Sequence, residues 1–471
     1  MVNRRSKSRE GRPILRRRTG IVTSVAAALA ATFSVSAGAV PVVPGLVAPG
    51  SSTPAGRGGT IYRVTNLNES GPGSLRACVD ASGPRVCVFE VSGVIRMSGD
   101  LIIRNRYITI AGQTAPSPGI TLRGGGLRII TSDVLVQHIH VRPGDDPNGT
   151  PPDNRDALKI EQVASSPISN IVVDHCSFSW AIDETASAWE NWDNIVLSNN
   201  IFAEPLHDSL HPKGPHGYGV LLGPVQGHAT LVGNLFAHQA ERNPLSSTAR
   251  LVFVNNVIYN SGAAGMVLST VGGYQTFNTV AGNVFLRGPN STNARPIQIR
   301  ANGTDALAPG SRVYLSDNDT EELAGDDAWS IVGPFADGGV VTVYRASSPP
   351  VWPANMLRLP ARDNVTLNHV LRYAGARPAD RDPVDRRIVE QVRTRTGRII
   401  NCVAPNGTAR CERNAGGWPN LPQNRRTLQI PSNPHQMTDS GYTNLELWLH
   451  RMAAEVEGRS TTPPAPPVLR N

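Results

Sequence analysis

Short apolar runs rich in valine and isoleucine punctuate the chain at 60–64, 86–91, 101–103, 108–110, 127–130 and 134–141, each ended by a polar corner. Runs of this length that stay apolar predict parallel strands covered on both faces. From 172 onward they share a phrase: Val172-Val173-Asp174-His175-Cys176-Ser177-Phe178, Leu197-Ser198-Asn199-Asn200-Ile201-Phe202, Leu231-Val232-Gly233-Asn234-Leu235-Phe236, Val252-Phe253-Val254-Asn255-Asn256-Val257-Ile258 and Val280-Ala281-Gly282-Asn283-Val284-Phe285. Taking 175, 200, 234, 256 and 283 as equivalent gives spacings of 25, 34, 22 and 27 residues. That is the period of stacked supersecondary units, not of one closed core. The corner is Asn in four of five copies, a residue that tolerates left-handed backbone. Stacked asparagines fit a coil of parallel strands, with the uneven insertions as loops on one side, where repeat proteins keep their binding surface. A β-sandwich with Asn turns would not repeat a six-residue phrase in one register.

The ends read differently. Residues 1–39 read as an export signal: a basic region ending in Arg16-Arg17-Arg18, an apolar stretch from Ile21 to Val35 too short to span a bilayer, and Ala37-Gly38-Ala39 for cleavage. The route is either twin-arginine or ordinary secretory. Residues 40–56 are expected as a linker, 57–345 as the coil and 346–471 as a C-terminal extension packed on it. A short helix near Ser74, with Leu75, Cys78 and Val79 on one face, would plug the open end of the coil. In the extension, helices are predicted from Pro383 to Thr396, closed by Gly397, and from Asn444 to Val456. The proline-rich 461–467 reads as a disordered end.

With 471 residues, 39% of them hydrophobic, the chain can bury a large core, and a solenoid keeps so long a chain in one domain. A formal charge of +8 suits a polyanionic partner, although basic composition alone suits nucleic acid equally well. Only three of the basic residues are lysines, Lys7, Lys159 and Lys213. Five cysteines in an exported chain predict two local disulfides, Cys78 with Cys87 and Cys402 with Cys411, and a buried thiol at Cys176. Neither pair has zinc-site spacing.

Several phrases occur together and in order: Gly56-Arg57-Gly58-Gly59, Thr65-Asn66-Leu67-Asn68-Glu69-Ser70-Gly71-Pro72-Gly73-Ser74-Leu75-Arg76, Ile110-Ala111-Gly112-Gln113-Thr114-Ala115-Pro116, Asp174-His175, His211-Pro212-Lys213-Gly214, Arg242-Asn243-Pro244 and, in the tail, Ala374-Gly375-Ala376-Arg377-Pro378. This set resembles secreted pectate lyases. The resemblance implies an all-β, right-handed parallel β-helix that cleaves polygalacturonate, an acidic plant cell-wall polysaccharide, by calcium-assisted β-elimination. A monomer with no nucleic-acid partner is expected, and no stretch after the signal is long and apolar enough for a membrane span, so no membrane association is expected after cleavage.

Abstracting the proton beside a uronate carboxylate demands a cation for the developing enolate charge, a base at that carbon, and donors for the carboxylate. Asp156 and Asp183, about one rung apart, offer oxygen ligands for calcium. They match two calcium-binding aspartates of the family. Glu184 is a third carboxylate, though alternation along a strand would turn it to the other face. The family carries a further Asp where this chain has Ser187. Lys213 resembles the lysine that meets the substrate carboxylate, Arg242 resembles the Brønsted base, and His211 and Asn243 fall in the same phrases as substrate-binding residues. An arginine base needs a cationic setting, because its free pKa lies above about 12. The family's next arginine is replaced by Ser247, with Arg250 following. Asp174 and His175 are expected to be structural. Two other classes stay open: a non-catalytic sugar-binding coil that displays Trp180, Trp189 and Trp192, and a hydrolase that uses Asp183 and Glu184 as its carboxylate pair. A lyase or hydrolase for another uronate polymer is a further variant.

Overall fold

The computed structural model describes residues 40–163, 167–292, 295–321, 327–336 and 338–459. The export signal and the proline-rich end lie outside them. Three columns of strands rise through the molecule, and every pairing within a column is parallel. One column runs from Thr60–Val64 through Arg85–Phe89, Ile108–Ala111 and Val134–Gln137 to Ile168–Asp174 and Trp192–Ser198, and ends at Arg312–Ser316. A second stacks Leu101–Ile103, Leu127–Ile129, Leu158–Glu161 and Glu184–Trp189, and ends at Val332–Pro334. The third runs from Gly93–Arg96 to Asp319–Thr320. Tyr218–Val232 and Leu245–Val254 pass unbroken from the second column into the first. This is a parallel β-helix, and its right hand follows the crossover rule for parallel strands. The predicted strand 134–141 divides in two at His138, whose left-handed backbone (φ 58°) turns the corner.

The asparagine ladder is present, one residue away from the corner assigned to it. Pairing of Asp174 with Ser198, and of Ser198 with Val232, puts His175, Asn199, Gly233, Asn255 and Gly282 in one row, and these carry the positive φ. Cys176, Asn200, Asn234, Asn256 and Asn283 form the next row, which Asn318 extends. His175 is therefore equivalent to Asn199, not to Asn200. The ladder asparagines point inward: each Oδ1 accepts the backbone N–H of the preceding rung, and each Nδ2 donates to a strand carbonyl and to the next Oδ1. They satisfy the backbone groups that a tight turn would otherwise strand inside the coil. Asn234→Ala leaves the Asn200 N–H and the Leu197 carbonyl without these partners, so a loss of about 3 kcal/mol is expected in chemical denaturation. A loss under half that would mean that water replaces the ladder.

Phe178, Phe202 and Phe236 stack above one another inside the coil, with ring centroids 5.4 Å apart at each step. The helix Leu75–Asp80, capped by Ser74, turns Leu75, Cys78 and Val79 into this core, and Cys78 is bonded to Cys87. Cys176 is a buried free thiol. Residues 40–56 do not form a free linker: Val42 and Ala55 pack on Leu135, Val172 and Val196 of the first column.

The extension covers two outer faces. The helix Pro383–Thr394 lays Val384, Ile388 and Val389 on Leu235, Val257 and Val284. It is closed by Arg395 in left-handed backbone (φ 56°), not by Gly397. Its N-cap Asp382 and Asp385 hold buried Arg142. The helix Asn444–Glu457 begins with a Thr443–Glu446 capping box and packs Leu445, Leu449 and Met452 on Val86, Val88 and Ala111. A helix that the sequence did not announce, Val365–Tyr373, starts after Asn364 without a side-chain cap. No helix among the described residues is long and apolar enough to cross a membrane.

Candidate active site

The strands Leu158–Glu161 and Glu184–Trp189 pair with Leu158 opposite Ala186. Carrying that register back two residues sets Asp156 against Glu184, whose N–H donates to Asp156 Oδ1 at 3.2 Å. Asp183 lies just before the strand, where the chain is still turning, so strict alternation does not separate it from Glu184. Oxygens of Asp156, Asp183 and Glu184 fall within 4.8 Å of one another. All three expected ligands are thus brought together, Glu184 included.

Crowding of buried carboxylates sets the electrostatics. Burial, then the charge of Asp183, pushes the Asp156 carboxyl up to about 7. Burial and then Asp156 and Asp183 hold Glu184 well above the usual carboxylate range. Burial also acts to raise Asp183, but hydrogen bonds from His216 and Glu184, with the nearby imidazoles, bring it below its ordinary value. Ser187 donates its hydroxyl to Asp156 Oδ2.

Rings link this cluster to Arg242. His216 Nε2 is 3.0 Å from Asp183 Oδ1, and His211 Nε2 is 3.6 Å away. The two imidazoles stack at 3.8 Å, His216 lies 4.1 Å from the Tyr218 ring, and the Arg242 guanidinium carbon sits 4.2 Å over that ring. Arg242 closes the circuit with an ion pair to Glu184, not to its neighbour Glu241. Its backbone is left-handed (φ 65°), which costs a non-glycine residue about 1 kcal/mol. His216 and Tyr218 were missed in the sequence; the available signal was their spacing of two, which puts both on one side of an extended segment.

Lys213 is exposed on the loop before Tyr218–Val232, and its N–H donates to His211 Nδ1 at 3.2 Å. Burial first, then His216 and the Lys213 charge, lower the His211 pKa. Two expected substrate contacts take other places. Asn243 is buried and donates to the Ala264 carbonyl at 3.1 Å. His211 is buried between Lys213 and Asp183. Asn243 supports the backbone beside Arg242, and His211 orients the lysine loop. Ser247 is also buried, sharing a hydrogen bond with Ser269 at 2.7 Å. Asp174 and His175 are buried 2.9 Å apart in the corner stack, and Asp174 also accepts from Gln137 and Ser198, as expected of structural residues. Trp180 and Trp192 are buried; of the three proposed sugar platforms, only Trp189 is exposed.

The loop that carries Lys213 is held from the far end of the chain. His207 N–H donates to the Ile400 carbonyl at 2.8 Å, Asp208 N–H to Asn401 Oδ1 at 3.2 Å, and Arg410 to the Ser209 carbonyl at 2.8 Å. Cys402 and Cys411 are bonded within that distal segment.

Comparison with known proteins places the chain. No family model matches it. It is 31% identical over 434 residues to the protein named "Probable pectate lyase C" of Aspergillus fumigatus, covering 90% of this chain and 96% of that one. The protein of the same name in Aspergillus terreus is 30% identical over 432 residues, covering 88% and 95%. Among solved structures, pectate lyase II from Xanthomonas campestris matches 72% of this chain and all of its own, at 14% identity and a TM-score of 0.45. By its identity to full-length relatives, the chain belongs to the pectate lyase family of polysaccharide lyases.

Proposed function

We propose that the protein is an exported enzyme that cleaves polygalacturonate by calcium-assisted β-elimination, leaving an unsaturated uronate at one new end. The observation that carries this reading is the convergence of Asp156, Asp183 and Glu184 within 4.8 Å, with Arg242 paired to Glu184. A hard divalent cation suits these donors: burial first, and then each other's charge, raise the pKa values of Asp156 and Glu184, and calcium takes six to eight oxygens from carboxylates, water and ligand. Asp156, Asp183 and Glu184 would hold it. Bound there, it would supply positive charge that makes the proton beside the uronate carboxylate more acidic.

Arg242 takes that proton, the electrons of the broken C–H bond form the carbon–carbon double bond, and the glycosidic oxygen leaves and is protonated by water. In the structure the Arg242 guanidinium is paired with Glu184. A cation held by Asp156, Asp183 and Glu184 would compete with Arg242 for the Glu184 carboxylate and add positive charge beside the guanidinium, both of which favour its neutral form. Lys213, exposed on its braced loop, neutralises the substrate carboxylate. Hydrolysis fits less well, because it needs carboxylates on either side of the glycosidic bond, one as acid and one as base or nucleophile, whereas these three turn oxygens toward one point.

Incubation with polygalacturonate, with and without chelator, tests the reading by the near-ultraviolet absorbance of the unsaturated uronate. Absorbance that rises and is abolished by chelator is expected. New reducing ends without absorbance would establish hydrolysis, and binding without either would establish a non-catalytic module.

A further inference from the structure

The outward face of the strand that carries Glu184 continues past the carboxylate cluster. Leu158 and Ile160 enter the core, as do Ala186 and Ala188, so Lys159 and Glu161 face outward on one rung and Ser187 and Trp189 on the next. Register sets Lys159 opposite Ser187 and Glu161 opposite Trp189. Trp189 is 41% exposed, and its partner on the following rung is Gly223, which has no side chain to cover the indole. Lys159 Nζ lies 2.8 Å from Asn154 Oδ1 and 3.9 Å from Glu161 Oε2. Glu161 is also paired with Arg128, so Arg128, Glu161 and Lys159 leave one net positive charge beside the indole. In a chain with only three lysines, this is a compact ammonium on the face where Ser187 meets Asp156 of the cluster.

We propose that Lys159 and Trp189 form a further subsite for an unesterified uronate residue of the polymer, its pyranose face on the indole and its carboxylate on the ammonium. The proposal rests on the lyase reading and adds a place where the chain is gripped away from the bond that breaks. The two Cα atoms are one rung and two residues apart, roughly 8 Å, and Trp189 stands about 16 Å along its strand from Glu184. An exposed indole supplies rigid apolar area for the C–H face of a sugar. The ammonium alone distinguishes a free carboxylate from its methyl ester.

Lys159→Ala and Trp189→Ala replace outward side chains and keep the strand pairing. With hexagalacturonate, each is expected to raise KM about fivefold while kcat stays within about twofold. Binding of the methyl-esterified hexamer, followed by isothermal titration calorimetry, is expected to weaken in Trp189→Ala and to be unchanged in Lys159→Ala. If the wild-type enzyme forms unsaturated product and both variants retain its KM, the subsite is refuted and the lyase reading stands. If the wild type forms none, the lyase reading itself fails. Equal weakening of the esterified hexamer in both variants would refute the charge role of Lys159.

Discussion

Arg242→Lys is expected to lower turnover by on the order of a hundredfold while KM changes little, the signature of a group whose contribution is made in the transition state. Lysine keeps a cation beside Glu184 and over the Tyr218 ring, so the pocket should hold its shape. The shorter ammonium presents its nitrogen from a different point and cannot stack flat while reaching the substrate proton. Steady-state rates from product absorbance, with circular dichroism to confirm folding, give the answer. Full turnover in a folded Arg242→Lys enzyme would reduce this arginine to the ion-pair partner of Glu184, and the base would have to be sought elsewhere in the cleft.

The carboxylate cluster should make calcium's effect on stability depend steeply on pH. Without a cation, the Asp156 carboxyl titrates near 7 in the folded protein and near 3.8 when exposed. Its folded-state pKa is raised, so its contribution to stability is complete below about pH 4 and is lost as pH climbs through about 7. A cation that needs the ionised form reverses this loss. Calcium should therefore raise Tm clearly at pH 8 and little at pH 5, measured by scanning calorimetry with and without chelator. Asp183→Asn, which removes one ligand charge, should increase the calcium needed for half-maximal activity by on the order of tenfold while the coil stays folded. A Tm insensitive to calcium at both pH values would remove the metal from this cluster.

What the sequence disclosed followed from repetition. The strands, the stacked asparagines and the two short-range disulfides each leave a periodic or paired mark, and the structure contains them. The corner was misplaced by one because Asn199-Asn200 and Asn255-Asn256 are doublets, and composition does not say which member turns and which points inward. Glu184 could not be assigned by alternation, since the chain bends at Asp183. Asn243 and His211 lie in a site phrase, yet a phrase fixes position along the chain and not the direction of a side chain. His216 and Tyr218 carry no motif of their own, and their roles come from stacking between Asp183 and Arg242.

The loop of His211 and Lys213 depends on residues 400–410 for three of its hydrogen bonds. Synthesis runs from the other end, so a nascent chain can complete the whole coil while its lysine loop still lacks an anchor. On the lyase reading proposed above, competence would arrive late, when the final quarter of the chain has docked and Cys402 has met Cys411. A coil without that final quarter would lack all three of these anchors.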